Sequence, residues 1–193
     1  MLGKPGIPSF FFEAPMRHAR RQLTSSDGFT LIELLVACAI VAVLAAVAVV
    51  SMLRAKIAAN EASAIASIRA INTAQGAYST SAASGGYATS LTVLATPCPG
   101  STATFISPDL ATDPGRKSGY NVSLVPGSSG PGPNDCNGTA SRTGYYLTAA
   151  PQATSTGTRA FASSNPNVIY VDMSGVPPTE AAMAPGGGGT VLQ

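Results

Sequence analysis

The sequence predicts an α+β chain: one long N-terminal helix, its first half a transmembrane segment, followed by a small antiparallel β-sheet head domain. Three observations predict it. Residues 29–75 contain neither Gly nor Pro and are dominated by Ala, Leu and Ile, the composition of an uninterrupted helix. Residues 34–53 carry no charged side chain, and this is about the 20-residue length that one helical pass through a bilayer needs. Further on, Tyr120, Val122 and Leu124, and again Tyr145, Leu147 and Ala149, alternate as on half-buried strands.

The first element is a polar, basic leader, residues 1–28. Lys4, Arg17, Arg20 and Arg21 precede the apolar run, and this excess of positive charge holds the N-terminus in the cytoplasm and sends the rest of the chain outward. The apolar Phe10-Phe11-Phe12 is odd in such a leader, and Met16 offers an alternative start that leaves residues 16–28 as the leader.

The stretch Gly28-Phe29-Thr30-Leu31-Ile32-Glu33-Leu34-Leu35 sets one carboxylate inside the start of the apolar run. An acidic residue within a membrane segment costs roughly 2.5–3.5 kcal/mol on insertion scales, so Glu33 needs a reason. If the chain is cut between Gly28 and Phe29, the new α-amino group lies one turn from Glu33, at the i, i+4 spacing at which helical groups meet. Within one helix that ammonium already sits at the positive end of the macrodipole. The carboxylate of a neighbouring copy is then an equally good place for it, a layout suited to a polymer.

With its basic leader, Gly28, Phe29 and Glu33, this stretch closely resembles the class III signal of type IV pilins and type II secretion pseudopilins. The resemblance covers residues 20–80 well and the remainder in general plan. It implies that a membrane-embedded prepilin peptidase cuts after Gly28 and methylates Phe29, and that Glu33 aligns each incoming subunit with the N-terminus of another. It implies further a bacterial inner-membrane precursor with a single span, polymerised by an assembly platform and its ATPase into an extracellular or periplasmic filament. An ordinary secretory signal has an apolar core of about 7–15 residues that ends at its cleavage site, whereas here the run is longer and the cut precedes it. One departure concerns residues 42–51, where many pilins carry a Pro or Gly that loosens the helix and this chain has neither.

Past the transmembrane half, residues 29–53, the helix is expected to continue as an amphipathic outer half, residues 54–83, a rod of roughly 80 Å in all at 1.5 Å per residue. Ile57, Ala64, Ile65, Ile68 and Ile71 form an apolar stripe at helical spacing. Glu61 points to nearly the same side without a basic residue one turn away. It is expected as a solvated surface charge, the alternative being Arg54, Lys56 or Arg69 of another subunit.

Removing the leader leaves seven Lys and Arg, seven Asp and Glu, and no His or Trp, since His18 lies in the leader. No Ser-His-Asp or Cys-His nucleophile and no imidazole metal site can be built from that set, so no enzyme is expected. A side-chain charge near zero gives no footprint for nucleic acid.

Ser84-Gly85-Gly86 ends the helix, and the head, residues 84–176, follows. It opens with a short element over residues 90–95 and a Pro- and Gly-rich connection to about Ser118. Strands are expected around Tyr120–Leu124 and Tyr145–Ala149, then over 158–162 and 168–171, with a turn at Asn165-Pro166-Asn167. The residues 157–161 and 168–172 weakly resemble the final hairpin of several pseudopilin-like families. Residues 177–193, with Gly186 to Gly189, read as a flexible tail.

Cys38 lies in the membrane run, where a free thiol behaves as a small apolar residue. Cys98 and Cys136 lie in exported segments and are placed to close a disulfide outside the cytoplasm, two free thiols being the alternative. Asp109, Asp113 and Asp135 are hard oxygen ligands of the kind Ca²⁺ takes, and the resemblance adds that major pseudopilins of type II secretion bind calcium in a head loop. The three do not match a defined ligand spacing, so ordinary turn residues are expected and no cofactor is called for. The triplets at Asn121 and Asn137 fit N-glycosylation but are incidental behind a bacterial-type export signal.

Three readings follow. The first is a structural subunit of a type IV pilus-like filament, a self-polymer. The second is a pseudopilin of a type II secretion system. The third is a membrane-anchored binding protein with a pilin-like signal.

Overall fold

The computed structural model describes residues 28–192, so all of the leader except Gly28, including Lys4, Arg17, Arg20, Arg21 and the alternative start Met16, lies outside the described residues. The chain divides after Ala42 into two compact units. The described part of the first unit is the opening of helix α1, Leu31–Ser81, every residue of it exposed up to Ala42.

The second unit begins within α1 and contains the head. Its elements are α2 (Leu91–Leu94), a 3-10 turn (Pro108–Leu110), then strands β1 (Gly115–Lys117), β2 (Tyr120–Pro126), β3 (Pro131–Asn134), β4 (Ala140–Arg142), β5 (Tyr145–Pro151), β6 (Ala160–Ser164) and β7 (Ile169–Asp172), then α3 (Glu180–Met183) and β8 (Thr190–Val191). Six strands make one antiparallel sheet in the order β1-β2-β5-β6-β7-β8, while β3 and β4 pair apart from it. This is the α+β, pilin-like layout expected from the sequence.

The helix ends two residues before the expected position. Ala83 and Gly85 donate back to the Tyr78 and Ser79 carbonyls at 3.1 and 2.8 Å, with Ser84 and Gly85 in the left-handed region. Glycine is the residue that accepts that conformation without steric cost. Ser90 caps α2 by accepting from the Val93 amide at 3.3 Å.

The core lies between one face of α1 and one face of the sheet. Ala64, Ile68, Ile71 and Tyr78 are buried on the helix, and Val122, Leu124, Leu147, Ala149 and Phe161 on the strands. The alternation predicted for β2 and β5 is what buries them, because successive side chains point to opposite faces. Ile57 and Ile65 of the predicted stripe are only half-buried.

Polar groups inside this layer are paired. Asn72 donates to Ser163 at 2.8 Å and accepts from Tyr145 at 3.0 Å, while Gln75 both donates to and accepts from the backbone of Ala88 at 2.9 and 2.8 Å. A buried amide left unpaired would cost about 1–3 kcal/mol, so these bonds fix where the sheet meets the helix. On the other side of β6, Ala160 and Ala162 are also buried, and α3 packs over that strand with Met183 inside.

Two expectations are corrected. Residues from Pro177 onward are not uniformly irregular: Thr179 caps α3, and β8 pairs with β7 through Tyr170↔Val191 and Val171↔Thr190. Two of the glycines there, Gly187 and Gly189, serve close approach. Gly189 donates to the Ala182 carbonyl at 2.9 Å, and a Cβ on it would fall 2.7 Å from that oxygen. The second correction is Glu61, which is neither a solvated charge nor left for another subunit. It is 4% exposed and pairs with Arg159 of its own chain, Nη2 to Oε2 at 2.7 Å.

Candidate functional site

The segment that carries the predicted chemistry is Gly28 to the first turns of α1. Thr30 starts the helix: its carbonyl accepts from the Leu34 amide at 3.2 Å and its hydroxyl accepts from the Glu33 amide at 3.2 Å. Glu33 is therefore the third residue of the helix, and Thr30-x-x-Glu33 has the sequence of a capping box. That pattern is the mark of Thr30 in the sequence.

The reciprocal half of the box is missing among the described residues: no hydrogen bond or ion pair engages the Glu33 carboxylate. The first turn of a helix favours a negative charge, because its free amides point toward it. A cationic partner must come from elsewhere. The nitrogen of Phe29 lies just ahead of that turn and would become an α-amine on cleavage.

Gly28 is exposed, its φ lies outside the left-handed region, and a Cβ built on it meets nothing within 4 Å. Nothing packed among the described residues requires glycine there. Phe29 is 81% exposed, and from Leu31 to Leu53 the large apolar side chains all lie open. Cys38 is a free, exposed thiol among them. The only hydroxyl in that stretch, on Ser51, donates to the Ala48 carbonyl at 2.9 Å, leaving an apolar surface. Burying one large aliphatic side chain is worth about 1.5–3 kcal/mol, so such a surface calls for lipid or other helices around it. By length and composition α1 is the one helix among the described residues able to cross a membrane.

The other predicted residues are placed apart from this segment. Cys98 and Cys136 form a disulfide with Cα atoms 5.5 Å apart. Asp109 pairs with Lys117 at 2.6 Å and accepts from Ser107, which holds its carboxyl below the usual range. Asp113 accepts from Ser123 at 2.8 Å and from the Leu91 amide at 3.4 Å. Asp135 accepts from the Tyr78 hydroxyl at 2.7 Å and from the amides of Asn137 and Thr139 at 2.9 and 2.6 Å. Each aspartate is thus engaged by donors of its own surroundings, and no three metal-ligating side chains come together among the described residues.

Glu61 is not the solvated surface charge expected from its place on the helix. Besides Arg159, it accepts from the Thr158 amide at 3.0 Å, the Thr158 hydroxyl at 3.1 Å and the Arg159 amide at 3.2 Å. Burial pushes its pKa up, but the Arg159 side chain and then these hydrogen bonds outweigh it and hold the carboxyl below its ordinary value. The signal was a carboxylate on an apolar stripe, which must find a partner. The partner's identity, 98 residues along the chain, had no local mark.

Residues 24–49 match the prokaryotic N-terminal methylation motif, the signal of type IV pilins and pseudopilins. No curated protein and no solved structure matches the chain. The motif carries with it processing by a prepilin peptidase, and with the apolar start of α1 it fits a membrane-anchored precursor.

Proposed function

We propose that this protein is a structural subunit of a type IV pilus-like filament, cut between Gly28 and Phe29, methylated at Phe29 and polymerised through the apolar half of α1. The observation that carries the reading is the pairing of a wholly exposed apolar helix surface with a Glu33 carboxylate that has no partner among the described residues. Packing of that surface against other copies buries it, and the α-amine of a neighbouring Phe29 neutralises Glu33. The role is structural rather than catalytic. The mature chain contains no histidine, and head side chains such as Asp135 and Arg159 are engaged in holding the head to α1.

A pseudopilin of a type II secretion system is the second reading. It is favoured by the uninterrupted course of α1 through residues 42–51, where no Pro or Gly loosens it. Shearing filaments from cells that express the protein, and identifying their subunit by mass, tests both. A surface filament built of a chain beginning at methylated Phe29 supports the pilus reading. A processed chain that stays in the periplasm and is needed for secretion supports the second. A chain that keeps its leader and extracts as a monomer contradicts both.

A further inference from the structure

Where the head is tied to α1 gives it a direction within the second unit. Asn60 donates to the Thr156 carbonyl at 2.8 Å, Glu61 holds Thr158 and Arg159, and the Ser63 hydroxyl bonds that of Ser118 at 2.8 Å. Further along come Asn72 to Ser163 and Tyr78 to Asp135. The loop 152–159 and the β1–β2 turn therefore lie at the end of the head nearest the apolar run.

Strand direction carries the argument on. β6 leaves Arg159, at the level of Glu61, and climbs to Ser163, at the level of Asn72. β7 is antiparallel to it, Ile169 opposite Ser163 and Asp172 opposite Ala160, so β7 descends toward the apolar run. Met173 to Val176 continue past its lower end. There Gly175 packs beside Thr158 and Pro151, where a Cβ on it would lie 3.6 and 3.7 Å from their atoms. Met173 is 74% and Val176 65% exposed, the two most exposed large apolar side chains of the described head.

Asn60 follows Leu53, the last residue of the uncharged run, by only seven residues, roughly 10 Å of helix at 1.5 Å per residue. The polar zone of a bilayer adds about 10–15 Å to its ~30 Å hydrocarbon core, shared between its two faces. Each face's share is roughly 5–8 Å, so a rim at the level of Asn60 stands a few ångströms outside the headgroup layer, a gap that an exposed side chain of methionine length spans. Arg54 and Lys56, both exposed, fall within that layer and complement its phosphates.

Resting on the membrane span of the reading above, we propose that this lower rim, with Met173 and Val176 at its tip, rests on the outward-facing headgroup layer of the bilayer that holds the precursor. The partner is the lipid surface itself. Apolar residues at a protein's edge partition into that interface as those of interfacial segments do. The contact sets the head upright on its helix until the subunit leaves the membrane.

The test uses the full chain in vesicles of phosphatidylethanolamine and phosphatidylglycerol, with a fluorophore on Met173→Cys or on Val125→Cys in a Cys38→Ala background. Val125 lies near the far end of β2 and is also exposed, so it serves as the distant comparison. A third sample carries the fluorophore on native Cys38. With a nitroxide on the lipid headgroup, several-fold stronger quenching at position 173 than at 125 is expected. Equal quenching at the two, with Cys38 quenched by an acyl-chain nitroxide, would overturn the rim contact and leave the span standing. Failure of the acyl-chain nitroxide to quench Cys38 would overturn the span and the rim contact together. A label at 173 that is open to solvent in vesicles and shielded only in sheared filaments would give the rim to a neighbouring subunit instead, and overturn the lipid assignment.

Discussion

Glu33 and Glu61 are the same group on the same helix, and their surroundings differ in every respect. Glu61 is buried and receives four hydrogen bonds and an arginine from its own chain. Glu33 sits on an open apolar surface, and among the described residues no hydrogen bond or ion pair engages its carboxylate. The difference teaches where each half of α1 finds its stability. From Asn60 onward the helix completes itself with the head. Before Leu53 it has no complement among the described residues, and both its apolar side chains and its carboxylate require one from outside.

The largest effect expected is all-or-none. Gly28→Leu should leave full-length precursor in the membrane, seen as an unshifted mass. No side chain of the fold lies within 4 Å of a Cβ at this position, so such a block reports recognition by the peptidase rather than misfolding. It also sharpens the comparison, because an uncut chain has no α-amine at Phe29 to meet Glu33. A mature chain beginning at Phe29 in this variant would remove the premise.

Glu61→Ala breaks the other side. It leaves Arg159 without a carboxylate. Removing one member of a fully buried ion pair costs about 3–5 kcal/mol, which is the upper bound here because 34% of the Arg159 side chain is open to solvent. Urea unfolding of the mature protein in detergent should show a loss up to that bound. A loss below 1 kcal/mol would mean that the pair is solvated after all.

The disulfide is next in size. Bridging Cys98 and Cys136, 38 residues apart, is worth up to roughly 4 kcal/mol in the chain-entropy model. The Cys98→Ser, Cys136→Ser variant should unfold at lower urea and accumulate less. In the unreduced native protein only Cys38 should alkylate, and labelling at either other position would rule the bridge out.

The smallest effect is in pH. The folded carboxyl of Glu61 lies below its ordinary value of 4.5, so the stability it supplies is present above that pH and is lost as pH falls through the lower folded value. Wild-type protein should weaken more steeply below about pH 4.5 than Glu61→Gln, and parallel curves would contradict the assignment.

Much of this was legible in the sequence because it is written locally. The absence of Gly and Pro over residues 29–75 marks α1, and the alternation at Tyr120–Leu124 and Tyr145–Ala149 marks the strands at the centre of the sheet. What was not legible depends on partners distant in sequence. Pro131 and Pro133 speak against a strand, yet β3 pairs with β4 because the surrounding chain holds it there. The order of the last residues rests on β8 meeting β7 and on glycines that let backbones approach, a purpose that composition does not separate from flexibility. At the N-terminal segment the residues are legible and the geometry adds the negative finding, a carboxylate without a partner among the described residues.

Glu33→Val tests that finding most directly. The substitution makes the apolar run more apolar and leaves the Gly28-Phe29 bond untouched, so insertion and cleavage should persist. With no carboxylate to receive it, the α-amine of Phe29 would be an uncompensated charge among packed helices, at a cost of several kcal/mol. Expressed alone and scored by filament count beside a cleavage assay, the variant should be cut normally and form few or no filaments. Filaments at wild-type abundance, built of cleaved Glu33→Val protein, would contradict the account.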